Sequence, residues 1–167
     1  MTHRIFKQLT IEDSENLASL ISRSYAQNLA LGIQFDASFM THDDAREQIL
    51  SHAVYGLFEE AKLIATVTIR FPWSNKPGPE ALPHIGWFAV EETYKGQKIG
   101  LALLNCLETE ILMKTLKAKE YTLGTASNHP WLVEYYKQFG FIELYIKDIG
   151  KPHKTLFMKK TLLTLTP

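Results

Sequence analysis

HIGWFAVEETYKGQKIGLALL, residues 84–104, carries a β-rich run through a short basic turn into an apolar helix, and its reading decides the fold. His84 to Val90 reads as a strand, and beyond the turn Leu103, Leu104, Leu107 and Ile111 recur at helical spacing. A helix that opens near Gly100 leaves its first N–H groups without intrahelical acceptors and gathers partial positive charge at the same end. Gly96 and Gly100 allow close backbone approach and Lys95 and Lys98 add charge, so the turn is suited to cradle a diphosphate. The spacing matches neither a Walker loop nor a full GxGxxG fingerprint, which points to a diphosphate within some other molecule. Taken alone, the same residues also read as punctuation of a surface turn.

Outward from this unit, the chain alternates strands and helices. Arg4 to Gln8 reads as a short strand; Thr10 is an N-cap ahead of a helix striped by Leu17, Leu20 and Ile21. Thr41 and Asp44 are spaced as a capping box for a second helix. Two β-rich runs, VYGLFEE and KLIATVTIRF, meet at Glu60 and Ala61, and a loop with four prolines and a glycine follows. EYTLGTA then reads as a strand and NHPWLVEYYKQFG as a helix, with Pro130 in its first turn and Gly140 at its end. FIELYIKD and HKTLFMKK flank IGKP as a closing hairpin. The expectation is one mixed α/β domain over residues 1–167, a central sheet covered by helices.

Composition narrows the function. The 167 residues are 46% hydrophobic and 22% charged, ordinary for a folded chain. Eighteen basic residues balance eighteen acidic ones, so no overall field favours nucleic acid or an anionic membrane. No stretch approaches the roughly 20 apolar residues of a membrane span, and the first residues lack the apolar core of an export signal. Cys106 is the single cysteine, which excludes an intrachain disulfide and agrees with a cytoplasmic setting. The six histidines show no metal-ligand spacing, so no metal is expected.

WFAVEETYKGQKIGLALL resembles the cofactor motif of the GNAT superfamily of N-acetyltransferases: Gln or Arg, two residues, Gly, one residue, then Gly or Ala. Lys95, Lys98 and Gly100 fall on the three marked positions, with lysine replacing both the first Arg or Gln and the first glycine. NHPWLVEYYKQFGF resembles the second family motif, in which an asparagine precedes a helix whose tyrosine lies four residues before Gly-Phe; Tyr136 matches, and Asn128 sits one residue further away than usual. The resemblance implies a mostly antiparallel central sheet flanked by helices and direct acetyl transfer from acetyl-CoA to an amine. It places the diphosphate on Lys95, Gly96, Gln97, Lys98, Ile99, Gly100 and Leu101, and the acyl-pantetheine arm beside Phe88, Ala89 and Val90. Asn128 and Tyr136 complete the implied cofactor contacts. A CoA-binding sensor with little transferase activity and a different phosphate binder are the competing classes.

Tyr136 is implied as the general acid that protonates the departing thiolate, with Tyr135 beside it as a competitor. His84 is the candidate base, since an imidazole titrates near neutrality and strand alternation places it with Gly86, Phe88 and Val90 on one face; it also reads as an ordinary strand-end histidine. Glu91 and Glu92 are alternatives expected on a solvated edge. Cys106 reads as a small buried thiol, His129 as part of a helix start, and Trp73, Trp87 and Trp131 as packing residues, with Trp73 near enough to the proline-rich loop to meet an acceptor. Residues 28–40 and 71–83 are expected to line the acceptor pocket. They carry no readable signature, leaving a small-molecule amine, an amino acid, an aminoglycoside or a peptide N-terminus. A homodimer is allowed for, as the commonest soluble assembly.

Overall fold

The computed structural model describes residues 3–30, 40–151 and 153–162. Seven strands form one sheet: β1 (Arg4–Gln8), β2 (Ala53–Glu59), β3 (Lys62–Arg70), β4 (His84–Val90), β5 (Glu120–Ala126), β6 (Ile142–Lys147) and β7 (Thr155–Thr161), in the order β1-β2-β3-β4-β5-β7-β6. Every neighbouring pair is antiparallel except β4 and β5. The expected closing hairpin forms, with β7 placed between β5 and β6. Glu60 and Ala61 join β2 to β3 with both φ angles positive, 48° and 71°, the backbone twist that a tight two-residue hairpin requires.

Helices α1 (Ser14–Ala30) and α2 (His42–Ser51) cover one face, and α3 (Ile99–Cys106) and α4 (Pro130–Gln138) the other. The stripe of α1 buries Leu17, Leu20 and Ile21 against Val54, Phe58 and Ala89. The capping box of α2 is present, with Asp44 N–H donating to Thr41 Oγ1 at 3.1 Å and Thr41 N–H to Asp44 Oδ2 at 2.9 Å. On the opposite face Leu103, Leu104 and Leu107 pack with Ile85, Tyr121, Leu123, Phe141 and Met158. Beyond Cys106 the helix widens into a π-helical segment, Leu107–Met113. Its wider turn buries Leu112 beneath Leu107, while Ile111, expected on the stripe, is only partly buried. Among the described residues no helix is long and apolar enough to cross a membrane.

The functional geometry comes from a fault in β4. Thr66 pairs with Ala89 and Thr68 with Gly86, so Val67 alone faces Trp87 and Phe88, a bulge in which Trp87 takes φ +49°. Past it, β4 and β5 separate: their pairing is confined to His84 with Thr122 and Ile85 with Leu123. The bulge also reverses the alternation. Phe88 and Val90 pack with Ile85 on the α3 face, whereas Trp87 and Ala89 pack with the α1 cluster. His84, adjacent to Ile85 and bonded to Thr122, therefore lies on the α1 side, not with Phe88 and Val90 as strand alternation predicts.

Candidate active site

A cavity of about 970 Å³ follows the gap between β4 and β5, at the upper end of the range for small-molecule sites. One end is walled by Lys95, Gly96, Lys98, Ile99 and Gly100, its middle by Phe88, Ala89, Val90, Tyr135 and Tyr136. The other end is lined by Thr68, Arg70, Lys76, His84, Lys147, Lys151 and Phe157. Of the residues expected at the cofactor, Gln97, Leu101 and Asn128 do not line it; Asn128 is exposed on the turn before α4. Residues 31–39 of the expected acceptor stretch lie outside the described residues.

At the first end, Lys98 adopts φ +58°, ψ +30° and offers the helix no side-chain cap. The first intrahelical bond of α3 runs from Ala102 N–H to the Lys98 carbonyl, so the preceding N–H groups remain to be satisfied. Gly96, at φ +84°, takes a backbone conformation that favours glycine, and a Cβ built there meets nothing within 4 Å, so the turn is open on that side. A Cβ on Gly100 would lie 2.6 Å from Tyr135 Oη and 2.9 Å from Phe88 Cζ, so glycine is required for the two rings to reach the helix end. Amide donors, two lysines and a glycine where a side chain would cover the helix end fit the diphosphate of acetyl-CoA. A left-handed conformation costs a non-glycine residue about 1–2 kcal/mol. Lys98→Gly is therefore expected to raise stability by up to about 1 kcal/mol, after part of the relief is offset by glycine's freer unfolded chain, while weakening CoA binding a few-fold through loss of the charge. Urea melts and CoA titration check both signs.

At the middle, Tyr136 is half-buried with its ring 6.5 Å from Phe88, 6.1 Å from Phe141 and 5.5 Å from Tyr135, between centroids. Burial, then the neighbouring Tyr135, pushes its phenol well above the ordinary tyrosine value, so it stays protonated and able to donate. Tyr25 from α1, 6% exposed, donates from its hydroxyl to the Phe88 carbonyl at 2.9 Å. That bond holds the peptide after the bulge. Sequence reading passed over Tyr25, although it continues the stripe of Leu17 and Ile21 at intervals of four and sets a polar tip on a buried face.

His84 is 3% exposed. Its Nδ1 lies 2.8 Å from Thr122 Oγ1, its ring is 6.1 Å from Phe157, and a Cβ on Gly78 of the proline-rich loop would overlap it at 2.5 Å. Burial, then the charge of Arg70, pushes its pKa down to about 3, so the imidazole is neutral at pH 7 and a weak proton acceptor. Unfolding returns it to an ordinary value near 6.5, and below that pH the unfolded chain binds the extra proton. The folded protein should thus be at full stability above pH 6.5 and lose it as pH falls toward 3. His52 and His153, also lowered chiefly by burial, act in the same direction. Denaturant titrations at pH 7.5 and 5, with His84→Gln flattening the acid limb, check this.

Other expectations are corrected here. Glu91 is not solvated: it is 6% exposed and paired with Arg23 at 2.6 Å, which removes it as a base. Glu92 is bound to Lys95 at 2.7 Å. Trp73 and Trp131 are not packed inside but 75% and 52% exposed; Trp73 stacks on Phe71, and Trp131 lines the cavity with Trp87. Cys106 is partly buried, and its thiol is pushed up by burial and Glu110, as suits an inert packing group. Among the described residues, no cluster of three or more His, Cys, Asp or Glu could hold a metal.

Residues 19–141 match the model of the Acetyltransferase (GNAT) family. The chain is 42% identical over 156 residues to S-(2-succino)cysteine N-acetyltransferase of Bacillus subtilis (strain 168), across 93% of this chain and 94% of the relative. It is 36% identical over 167 residues to S-alkylcysteine N-acetyltransferase of the same organism, across 96% and 93%. Among solved structures, the PaiA N-acetyltransferase of Thermoplasma acidophilum in complex with coenzyme A superposes with a TM-score of 0.72 at 20% identity, over 95% of this chain and 99% of that one. With its split sheet, bulged strand and amide-rich turn, this chain belongs to the GNAT family and is an N-acetyltransferase that draws its acetyl group from acetyl-CoA.

Proposed function

We propose that the amine acetylated by this enzyme is the α-amino group of an S-substituted cysteine. The observation that carries this is identity of 42% and 36%, over more than nine-tenths of the chain, with two N-acetyltransferases named for such acceptors. The cavity supports it: beyond the Tyr136 hydroxyl it continues past His84 into a region with Phe157 and Trp87 for a thioether and Arg70 for a carboxylate. A sensor that only binds CoA is not favoured, since both relatives, matched over more than nine-tenths of their length, are named as N-acetyltransferases.

In this reading the N–H groups of Ile99, Gly100 and Leu101, with Lys95 and Lys98, hold the diphosphate, and Gly96 and Gln97 shape the turn. Phe88, Ala89 and Val90 flank the pantetheine arm, while Asn128, exposed on the turn before α4, is left out of the contact set. When bound, acetyl-CoA supplies a thioester carbonyl carbon open to attack by a neutral amine. Tyr25 fixes the Phe88 carbonyl and with it the peptide plane facing the arm. Tyr136 gives its phenolic proton to the sulfur as the C–S bond breaks and the C–N bond forms, and the amine proton passes to solvent. His84, held neutral under Gly78, acts as a positioning residue at the acceptor end and not as a strong base. The domain spans residues 1–167 and works in the cytoplasm, in keeping with its free thiol. A homodimer is the proposed assembly, supported by exposed Ile142 and Ile146 on edge strand β6; sedimentation showing only monomer at all concentrations removes it.

Thiol release from acetyl-CoA tests the acceptor. S-substituted cysteines should be turned over far better than cysteine, methionine, a polyamine or a peptide with a free N-terminus. Faster release with any of the last four would displace the proposal.

A further inference from the structure

The closed end of the gap between β4 and β5 is floored by glycine on the α1 face. The two strands last pair at Ile85 with Leu123, so Gly86 is the first residue of β4 past the point where they part. Gly86 opposes Thr68 of β3, and Thr68 opposes Val54 of β2, which packs in the α1 cluster. Directly opposed residues share a face, so the space over Gly86 and the Thr68 hydroxyl both lie on the α1 side. A Cβ built on Gly86 meets nothing within 4 Å. Across the gap stands Gly124, two residues beyond the Thr122 that bonds His84, and Thr68, Gly86 and Gly124 all line the cavity. Thr66, on the same face of β3, donates to the Tyr55 carbonyl at 2.9 Å. Thr68 is as deeply buried, 2% exposed, yet its Oγ1 has no hydrogen-bond partner among the described residues. A hydroxyl withdrawn from water and left unpaired costs stability that valine in its place would not.

We infer that the hollow over Gly86 is the seat of the acceptor's amino group, and that Thr68 Oγ1 accepts a hydrogen bond from it and so turns the nitrogen lone pair onto the thioester carbon. The inference rests on the placement of the pantetheine arm beside Phe88, Ala89 and Val90 proposed above, and not on which amine is taken. An arm that enters the gap from the α3 turn and passes Val90, Ala89 and Phe88 ends where the strands rejoin, which brings its thioester beside Gly86. Tyr136 packs with the α3 cluster and so stands on the opposite side of the sheet from Thr68. Amine and acid then reach the thioester from different faces. The lone pair forms the C–N bond, the C–S bond breaks, sulfur takes the phenolic proton, the nitrogen gives its surplus proton to solvent, and solvent restores Tyr136. Thr68 loses no proton; its part is orientation. Attack needs the neutral amine, and the surroundings favour it: the burial and the Arg70 charge that keep His84 neutral, two residues back on β4, act on an amine in the hollow in the same sense.

The test takes Thr68→Val, Thr68→Ser and Gly86→Ala through three measurements: kcat/KM for S-butylcysteine at saturating acetyl-CoA, CoA affinity by calorimetric titration, and melting temperature. Thr68→Val should lose about tenfold or more in kcat/KM while melting no lower than the wild type, and Thr68→Ser, which restores the hydroxyl, should stay within a few-fold of it. Gly86 is not among the glycines of positive φ and its added methyl has room, so Gly86→Ala should fold normally and bind CoA within a few-fold of the wild type. Its methyl occupies the seat, and kcat/KM should again fall about tenfold or more. Wild-type kcat/KM in either Thr68→Val or Gly86→Ala overturns the inference. So does a melting temperature that falls in Thr68→Val and not in Thr68→Ser, which would show the hydroxyl bonded within the fold. Loss of CoA affinity in Gly86→Ala would give the hollow to the cofactor, overturning the inference and leaving acetyl transfer intact. If the wild type acetylates no S-substituted cysteine, the acceptor reading fails by itself, and the same comparison with the amine it turns over fastest decides the inference.

Discussion

Tyr136→Phe is expected to lower kcat by about 10²–10⁴-fold while leaving acetyl-CoA affinity within a few-fold of the wild type. The variant keeps the ring that packs on Phe88 and Phe141, so the cavity wall and the fold are retained. It removes the hydroxyl proposed to protonate the sulfur, and a thiolate then departs into a half-buried site without a proton donor. The phenol is held above the ordinary value near 10 by burial and by Tyr135, so its titration gives no loss of activity below pH 10. Tyr135→Phe is the control: its hydroxyl sits against Gly100, at the diphosphate end, so it should alter CoA binding more than turnover. Equal turnover of Tyr136→Phe and wild type, measured by thiol release, would remove Tyr136 as the acid. A larger loss in Tyr135→Phe would transfer the role to its neighbour.

Gly100→Val is the second large effect, and it strikes binding. Its Cβ alone would lie 2.6 Å from Tyr135 Oη and 2.9 Å from Phe88 Cζ, and two further methyl carbons enlarge the collision. Gly100 is buried at the first turn of α3, so the rings must yield, at an overpacking cost of about 1–3 kcal/mol. The rings displaced are those that wall the cofactor cleft, and the new methyl groups cover the amides proposed to hold the diphosphate. CoA affinity should fall by more than about tenfold, with a smaller loss for Gly100→Ala. Adding Phe88→Leu to Gly100→Ala removes the ring atom in the way and should recover part of the stability. Calorimetric titration with CoA alone reads this without reference to the acceptor. Undiminished affinity in Gly100→Val would place the diphosphate elsewhere.

Much of the fold was legible because its signals are local. Thr41 and Asp44 cap a helix through bonds that span three residues, Pro130 and Gly140 bracket another, and the apolar stripes of α1 and α3 recur at their own period. The turn proposed to hold the diphosphate could be singled out for the same reason, since its glycines and lysines lie within six residues of one another. The bulge was not. Trp87 enters the left-handed region because Val67 of the neighbouring strand faces two residues, a register fault that tryptophan itself does not signal. Missing it put His84 on the wrong face, and the burial that neutralises His84 comes from Thr122 and Phe157, both distant in sequence, and from Gly78 of a loop that carries no signal of folding back over it. Arg70 was invisible for a similar reason: a charged residue at a strand end is commonplace until the opposing strand brings His84 beside it.

The π-helical segment after Cys106 closes its hydrogen bonds five residues back, as between Lys114 N–H and the Thr109 carbonyl at 3.3 Å and Leu116 N–H and the Ile111 carbonyl at 2.8 Å. Such a widened turn holds one residue more than an α-helical path needs. Excising a single position from LETEILM would let the cylinder tighten and bring Leu112 into line with Leu104 on a regular ridge. When homologous chains are aligned, a one-residue gap is therefore best absorbed here, where the backbone already stores the surplus, and not in the strand that follows.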